Sequence, residues 1–409
     1  MWAIARNNKI NILLACVFVF LRKKINTLHP IYLDYNATTP VDERVLAAML
    51  PWFSVQFGNA ASRSHLYGWQ ADEAVELARQ HTAALIGADA KEIVFTSGAT
   101  ESNNLAIKGV FEASLLANKH IVTVQTEHRA VLDVCENLAR RGAVVTYLKP
   151  ATDGLVSPQQ VSDALRPETV LVSVMQAHNE IGVLQPIGQI AQVAHQHGVL
   201  FHSDATQAVG KIPVNVAADG VDLLSFSAHK LYGPKGVGAL YVRRQKTPVL
   251  LTGQMDGGRH ERGLRAGTLN VPGIVGLGEA CRLAKLELDN NALLMGSLRD
   301  TLENTILEKI AGSFVNGSRT HRLPNVTNIA FPNIDGEQLL LNLHRIAVSS
   351  GSACTSASVL PSYVLKALGL SDAQAQASVR FSLGKYTTPT DVEMAAAHVV
   401  EVVQKMNRP

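Results

Sequence analysis

Cysteine is scarce in this sequence, and its few cysteines stand far apart. The four occupy positions 16, 135, 281 and 354 of 409 residues, so no two form a CxxC pair or a zinc-binding set. An HExxH motif is also missing, and the 14 histidines are scattered along the chain. The sequence therefore gives no support for a resident metal site. So few dispersed thiols indicate a protein that stays reduced inside the cell, which predicts a cytoplasmic location.

Strong charge of one sign is missing as well. Charged residues make up 17% of the chain, and the net charge is +3. All five charged residues within positions 1–30 are basic, so the remainder is close to neutral and slightly acidic. A surface that binds nucleic acid directly normally carries a basic patch. Direct nucleic-acid binding is therefore not expected.

No apolar run reaches the roughly 20 residues that a membrane-spanning helix needs. The most apolar stretch, INILLACVFVFL at residues 10–21, is followed by three basic residues instead of a cleavage site of small residues. We predict that residues 1–30 are an extension outside the fold and that the protein has no membrane role. The alternative is that this extension is an organelle presequence or a membrane anchor.

After residue 30, short apolar runs alternate with helical patterns. One helical stripe covers residues 130–142 and ends at Gly142, and Ser157 to Gln160 form a capping box at the start of another helix. Continuous apolar runs are typical of parallel strands covered on both faces. This alternation predicts an α/β fold with a doubly wound, mainly parallel sheet. The runs lie at residues 92–96, 120–124, 143–148, 169–175, 198–204 and 222–227.

The length and the 47% content of hydrophobic residues predict two domains packed together. We assign residues 31–288 to a large domain, whose first strand is a candidate for packing with the small domain. Residues 289–409 form the smaller α+β domain, which carries the loop around Cys354. A long helical pattern from Val271 to Ile310 is expected to bridge the two domains.

Three polar segments follow predicted strands, at the sheet edge where such folds bind ligands. TSGATESNN, residues 96–104, suits a phosphate at a helix start. Asp204 ends one buried strand, where it is either a salt-bridge partner, a helix cap or the partner of a protonated ring nitrogen. Lys230 follows another strand as a structural cation or a Schiff-base nucleophile. Each segment is ambiguous alone, but together they favour pyridoxal phosphate as the cofactor.

Seven ordered blocks connect the chain to a known family. From about Ile31 to Arg408 it resembles the cysteine desulfurases, in the branch that serves iron–sulfur cluster assembly. The resemblance implies an aspartate-aminotransferase-like fold, fold type I of the pyridoxal-phosphate enzymes, and a homodimer. The blocks are YLDYNATTPVD, FTSGATESNNLAIKG, TEHRAVLD, DATQAVGK, SFSAHKLYGPKGVGALYVRR, RAGTLNVP and SSGSACTSAS.

The resemblance also implies roles for individual residues. Lys230 would hold the cofactor covalently, Asp204 would pair with its ring nitrogen, and His128 would stack on the ring and help to move protons. Arg380 would bind the carboxylate of the substrate L-cysteine. The further cofactor-binding residues are Ala99, Thr100, Asn179, Gln207, Ser227 and His229, with Thr268 from the other subunit.

Cys354 lies among small polar residues in SSGSACTSAS, residues 349–358, where no bulky side chain could bury it. Such a loop suits a thiol that must both react and travel. The resemblance implies that Cys354 takes the sulfur of L-cysteine as a persulfide, releases alanine, and serves sulfur acceptors in cluster assembly or tRNA thiolation. In this reading Cys354 could also transiently ligate a cluster shared with a scaffold protein. Cys135 and Cys281, on predicted helices, are expected to be core residues.

One departure from the family concerns partners. The chain ends at Pro409, soon after its last predicted helix, whereas family members continue in a tail that helps to dock the cluster scaffold. Sulfur abstraction is therefore implied, while scaffold docking is left open. Two other functions are kept: a selenocysteine lyase or related pyridoxal-phosphate lyase, and a non-catalytic partner protein. The non-catalytic role is disfavoured because the sequence retains Lys230, Asp204 and Cys354.

Overall fold

A computed structural model describes residues 29–244, 247–350 and 360–407. Most of the predicted extension, residues 1–28, lies outside these ranges, and so does Cys354. Within the described ranges the strands are β1 (Ile31–Tyr32), β2 (Ile93–Thr96), β3 (His120–Val124), β4 (Val144–Leu148), β5 (Thr169–Ser173), β6 (Leu200–Asp204), β7 (Leu223–Ser227), β8 (Gly238–Val242), β9 (Phe314–Val315), β10 (Val326–Ala330), β11 (Ile346–Ala347) and β12 (Ser378–Ser382).

The helices of the described residues surround these strands. Ser157 caps the helix that begins at Pro158, through the expected capping box with Gln160. In chain order the helices are α1 (Glu43–Met49), α2 (Pro51–Ser54), α3 (Leu66–Ile86), α4 (Ala99–Ala113), α5 (Arg129–Arg140), α6 (Pro158–Ala164), α7 (Ile187–Gln196), α8 (Val271–Lys309), α9 (Gly336–Asn342), α10 (Tyr363–Ala367), α11 (Asp372–Gln376) and α12 (Pro389–Met406).

Seven strands form the central sheet in the order β2-β8-β7-β6-β5-β3-β4. β8 pairs antiparallel with both of its neighbours, and the remaining pairs are parallel, which confirms the predicted mainly parallel sheet. Strands β3, β5 and β7 are buried along their whole length. They are apolar on both sides because helices cover both faces of the sheet.

Successive residues of each strand point to opposite faces, so the sheet separates two apolar cores. Val122 and Phe201 belong to the core on one face, while Ile121 and Leu171 belong to the core on the other. The last residues of β2, β6 and β7 meet at one edge of the sheet because these strands run in the same direction. The polar segments that follow them are thereby brought together.

A second sheet and its own core lie in the C-terminal part. Strand β10 pairs antiparallel with β9 and β12, and α12 packs over a core that includes Phe331, Phe381 and Val399. Strand β1 pairs in parallel with β11, so the start of the described chain joins the C-terminal part.

The 39-residue helix α8 connects the two cores. Its first turns, including Leu277 and Cys281, pack in the core of the large sheet. Its last turns, including Leu302 and Ile306, pack in the C-terminal core. A single continuous helix therefore takes part in both cores. No helix within the described ranges combines the length and the apolar character that a membrane span requires.

Candidate active site

A cavity of about 710 Å³ opens where the strand ends converge. Ten of the site residues predicted from the sequence line it. Thr268 is exposed and does not line the cavity of its own chain, and Cys354 lies outside the described residues. The ten are Ala99, Thr100, His128, Asn179, Asp204, Gln207, Ser227, His229, Lys230 and Arg380.

Asp204 is the last residue of β6 and is only 4% exposed. One carboxylate oxygen accepts a hydrogen bond from Asn103 Nδ2 at 2.7 Å, and the other accepts one from the Thr206 amide at 2.9 Å. Both donors are neutral, and Asp204 forms no ion pair with any described residue. Burying a carboxylate without a cation is costly, so this position favours a positively charged ligand atom.

Lys230 ends the turn that follows β7. Its Nζ donates hydrogen bonds to the backbone oxygens of Asn36 and Ala37, at 2.5 and 2.7 Å. Burial, together with the nearby Arg380 guanidinium, lowers the pKa of Lys230 to about 8. With a pKa near 8, about a tenth of Lys230 is a neutral amine at pH 7, far more than for an ordinary lysine. The neutral amine is the form that attacks an aldehyde.

Helix α4 begins at the cavity with no side chain capping it. Its N-cap, Gly98, has a φ of +152°, which L residues rarely adopt. Because the first amides of a helix have no partner within the helix, those of Ala99 and Thr100 are available to an anion. Ser227 lies beside this helix start, since a Cβ on Gly98 would be 3.6 Å from Ser227 Oγ, and His229 lines the same cavity. This end suits a phosphate group.

Arg380, on β12, is buried at the cavity wall. Its Nη1 donates to the Asn179 backbone oxygen at 3.0 Å, and its Nη2 donates to Asp34 Oδ1 at 2.6 Å. Its Nε is buried and has no hydrogen-bond partner within the described ranges. The guanidinium is thus held in place with donor capacity to spare, as recognition of a carboxylate requires.

His128 is the N-cap of α5, and its Nδ1 accepts a hydrogen bond from the Ala130 amide at 3.1 Å. A neutral imidazole whose Nδ1 accepts carries its proton on Nε2. The contact therefore selects one tautomer and orients a ring that lines the cavity.

Residues 31–394 match the aminotransferase class-V family. The chain is 55% identical over 377 residues to the cysteine desulfurase IscS of Anaeromyxobacter dehalogenans (strain 2CP-C), and the match covers 92% of this chain and 93% of that protein. The chain belongs to the cysteine desulfurases. Membership in this family implies pyridoxal phosphate as the cofactor.

Solved structures agree with the fold of this cysteine desulfurase. A NifS-like protein is 36% identical, with a TM-score of 0.85 over 92% of this chain and 100% of that chain. A structure described as "SspA in complex with cysteine" is 40% identical, with a TM-score of 0.78 over 87% of this chain and 99% of that chain. The predicted fold type I architecture is confirmed.

Several residues that shape the cavity of this cysteine desulfurase were not assigned from the sequence. Asp34, Asn36 and Asn103 line it, and a second lysine, Lys211, lies buried behind Gln207. All four stand inside motif blocks that carried the family resemblance. Their position within those blocks was the available signal, but their roles follow from contacts between segments far apart in the chain.

Proposed function

We propose that this cysteine desulfurase removes the sulfur of L-cysteine, releases L-alanine and holds the sulfur as a persulfide on Cys354. The persulfide then passes to acceptors for iron–sulfur cluster assembly. The observation that carries the proposal is the meeting of three groups in one cavity. They are an amine of lowered pKa, a buried carboxylate without a cation, and an uncapped helix start.

These three groups fit pyridoxal phosphate. Lys230 would hold its aldehyde carbon, Asp204 its ring nitrogen, and the start of α4 its phosphate. When bound, the cofactor supplies an electron sink for the carbon atoms of the substrate. Ser227 and His229 would assist at the phosphate, together with Thr100 and with Thr268 of a second subunit. Asn179 and Gln207 would contact the region of the phenolic oxygen.

Side chains of the protein carry out the remaining steps. Arg380 binds the α-carboxylate of L-cysteine and so orients the amino acid. Lys230, once free, and His128 move protons to and from the substrate carbons. The Cys354 thiolate attacks the substrate sulfur, so an S–S bond forms while the C–S bond breaks. The carbon keeps the electron pair and takes a proton, and the products are alanine and the Cys354 persulfide.

Mass spectrometry of the pure protein after brief incubation with L-cysteine tests this function, with alanine measured in the same sample. We expect one added sulfur on the Cys354 peptide and a matching amount of alanine. Alanine without sulfur on Cys354 would indicate a lyase with another sulfur route. Neither product, in protein that carries its cofactor, would overturn the proposed function.

The lowered pKa of Lys230 predicts how cofactor uptake depends on pH. Only the neutral amine attacks an aldehyde, so incorporation into apoprotein should speed up about tenfold per pH unit below 8 and level off above it. Stopped-flow absorbance measures this rate. Since Arg380 lowers the pKa of Lys230, the Arg380→Gln variant should reach its plateau at a higher pH. A wild-type rate that keeps rising to about pH 10 would contradict the prediction.

We propose that the protein works as a homodimer through an apolar surface formed by Leu50, Phe53, Val55, Phe57, Leu66, Tyr67 and Trp69. Phe57 and Leu66 are 66% and 60% exposed, and such a cluster is typical of an interface. From the intervening segment, Ala60, Ala61 and Arg63 line a small pocket together with residues 259–262 and Leu269, the neighbour of Thr268. The surface is therefore continuous with the residue expected to reach the second subunit.

Replacing both Phe57 and Leu66 with aspartate should halve the mass measured by light scattering to the 44.0 kDa of one chain. Charges buried in an apolar interface have no partner there. The matched control is Leu293→Asp, which changes a residue that is 75% exposed on α8. The control should keep the wild-type mass. An unchanged mass in the double variant would exclude this surface as the interface.

We also propose a cytoplasmic location, with organelle targeting through residues 1–30 as the alternative. Cys135 and Cys281 are free and buried, as expected for core thiols, and a reducing compartment keeps such thiols free.

A further inference from the structure

A second lysine, Lys211, lies buried behind the cavity, on the segment that follows β6. Its Nζ contacts Gln207 Oε1 closely and Asn36 Oδ1 at 3.3 Å. It forms no ion pair with any described residue. A buried lysine that has only side-chain amides as partners calls for an explanation, because burying its ammonium group is costly.

The contacts of Gln207 determine which way its amide points. Gln207 Nε2 lies 3.0 Å from the Asn36 backbone oxygen. A backbone carbonyl can only accept, so the Gln207 atom that faces it must be the nitrogen. The oxygen of the same amide then faces Lys211, which donates to it. The Gln207 amide is thus held at both ends, and an N–H of its nitrogen is left for the cavity that Gln207 lines.

Asn36 connects this arrangement to Lys230. Its backbone oxygen accepts from both Gln207 Nε2 and Lys230 Nζ, while its side-chain oxygen accepts from Lys211 and from Asn325 Nδ2, the latter at 3.3 Å. A change at Lys211 is therefore transmitted to Gln207 by direct contact and to Lys230 through one residue.

We propose that Lys211 is a positioning residue, which orients the Gln207 amide so that it donates a hydrogen bond to the phenolic oxygen of the cofactor. This inference rests on the proposed cofactor. In its deprotonated form the phenolic oxygen is an acceptor, so a donor opposite it stabilises that form. A Gln207 amide turned the other way would present its own oxygen and repel it.

The charge state of Lys211 does not alter this role. Burial and the nearby charges of Lys230 and Arg380 hold the pKa of Lys211 well below its usual range. A neutral amine still donates two hydrogen bonds, one for each amide oxygen that faces it. A neutral Lys211 also avoids placing a further cation near Arg380, the residue proposed to bind the substrate.

The test is a pH titration of the visible absorbance of the bound cofactor in a double-mutant cycle of Lys211→Met and Gln207→Ala. We expect Lys211→Met to raise the titration midpoint by about one pH unit, since a donor to the deprotonated form is lost. In the Gln207→Ala background, Lys211→Met should cause no further shift of the titration midpoint. The affinity of the apoproteins for pyridoxal phosphate should fall in parallel.

Lys211→Gln retains an N–H donor without a charge and should shift the midpoint less than Lys211→Met. It also serves as the second variant if the methionine protein does not fold. If Lys211→Met shifts the titration midpoint equally in the wild-type and Gln207→Ala backgrounds, the inference is overturned. Lys211 would then act through its charge or through the fold. Wild-type protein without a visible absorbance band would instead refute the proposed function, and the inference with it.

Discussion

Replacing Lys230 with methionine should yield a protein without the yellow colour of a covalently held cofactor. Alanine formation from L-cysteine should fall by at least about 10³-fold. Methionine has a similar length but no amine, so it can neither hold an aldehyde nor carry a proton. The two hydrogen bonds from Nζ to the backbone of Asn36 and Ala37 are lost in addition. Absorbance spectra and an alanine assay measure the two effects.

The matched control for this variant is Lys235→Met, because Lys235 also lines the cavity and follows the same strand. It should keep the yellow colour. Circular dichroism of both proteins checks that the fold is intact. A folded Lys230→Met protein that stays yellow and active would show that another amine holds the cofactor.

Replacing Cys354 with alanine should abolish sulfur transfer while leaving the cofactor bound. Cys354 is absent from the set of groups proposed to hold the cofactor, so the visible absorbance should match that of the wild type. The substrate sulfur would lack its acceptor, and alanine formation should fall by at least about 10³-fold. Mass spectrometry should detect no persulfide on the protein.

Cys135→Ala is the matched control for this second variant. Cys135 lies on α5 at 0% exposure, and burial raises its pKa to about 12. It is therefore neither a thiolate nor accessible, and its loss should leave sulfur transfer unchanged. Alanine production at the wild-type rate by the Cys354→Ala protein would refute the proposed route for sulfur.

Much of the fold was readable from local patterns. The predicted strand at residues 120–124 coincides with β3, and the long helical pattern from Val271 to Ile310 corresponds to α8. Both are runs whose periodicity depends on neighbouring residues alone. The pairing of Ile31–Tyr32 with Ile346–Ala347 joins segments more than 300 residues apart, and local periodicity carries no information about such a partner.

The candidate site also combines residues that a local sequence pattern indicates with contacts that it does not. Asp204 and Lys230 stand at strand ends, where a polar residue after a buried strand is visible in the chain itself. By contrast, Asn36 reaches the site from the start of the described chain and contacts Lys230, Gln207 and Lys211 together. No spacing along the sequence indicates that arrangement.

Residue order alone thus predicts the fold class, the proposed cofactor, and Lys230 and Cys354 as the candidate reactive residues, because each prediction depends on residue types within a short segment. Folding in three dimensions accounts for the lowered pKa of Lys230, the unpaired charge of Asp204 and the direction of the Gln207 amide. Each of these properties arises from burial and from neighbours distant in the chain, and such effects exist only once the segments have packed.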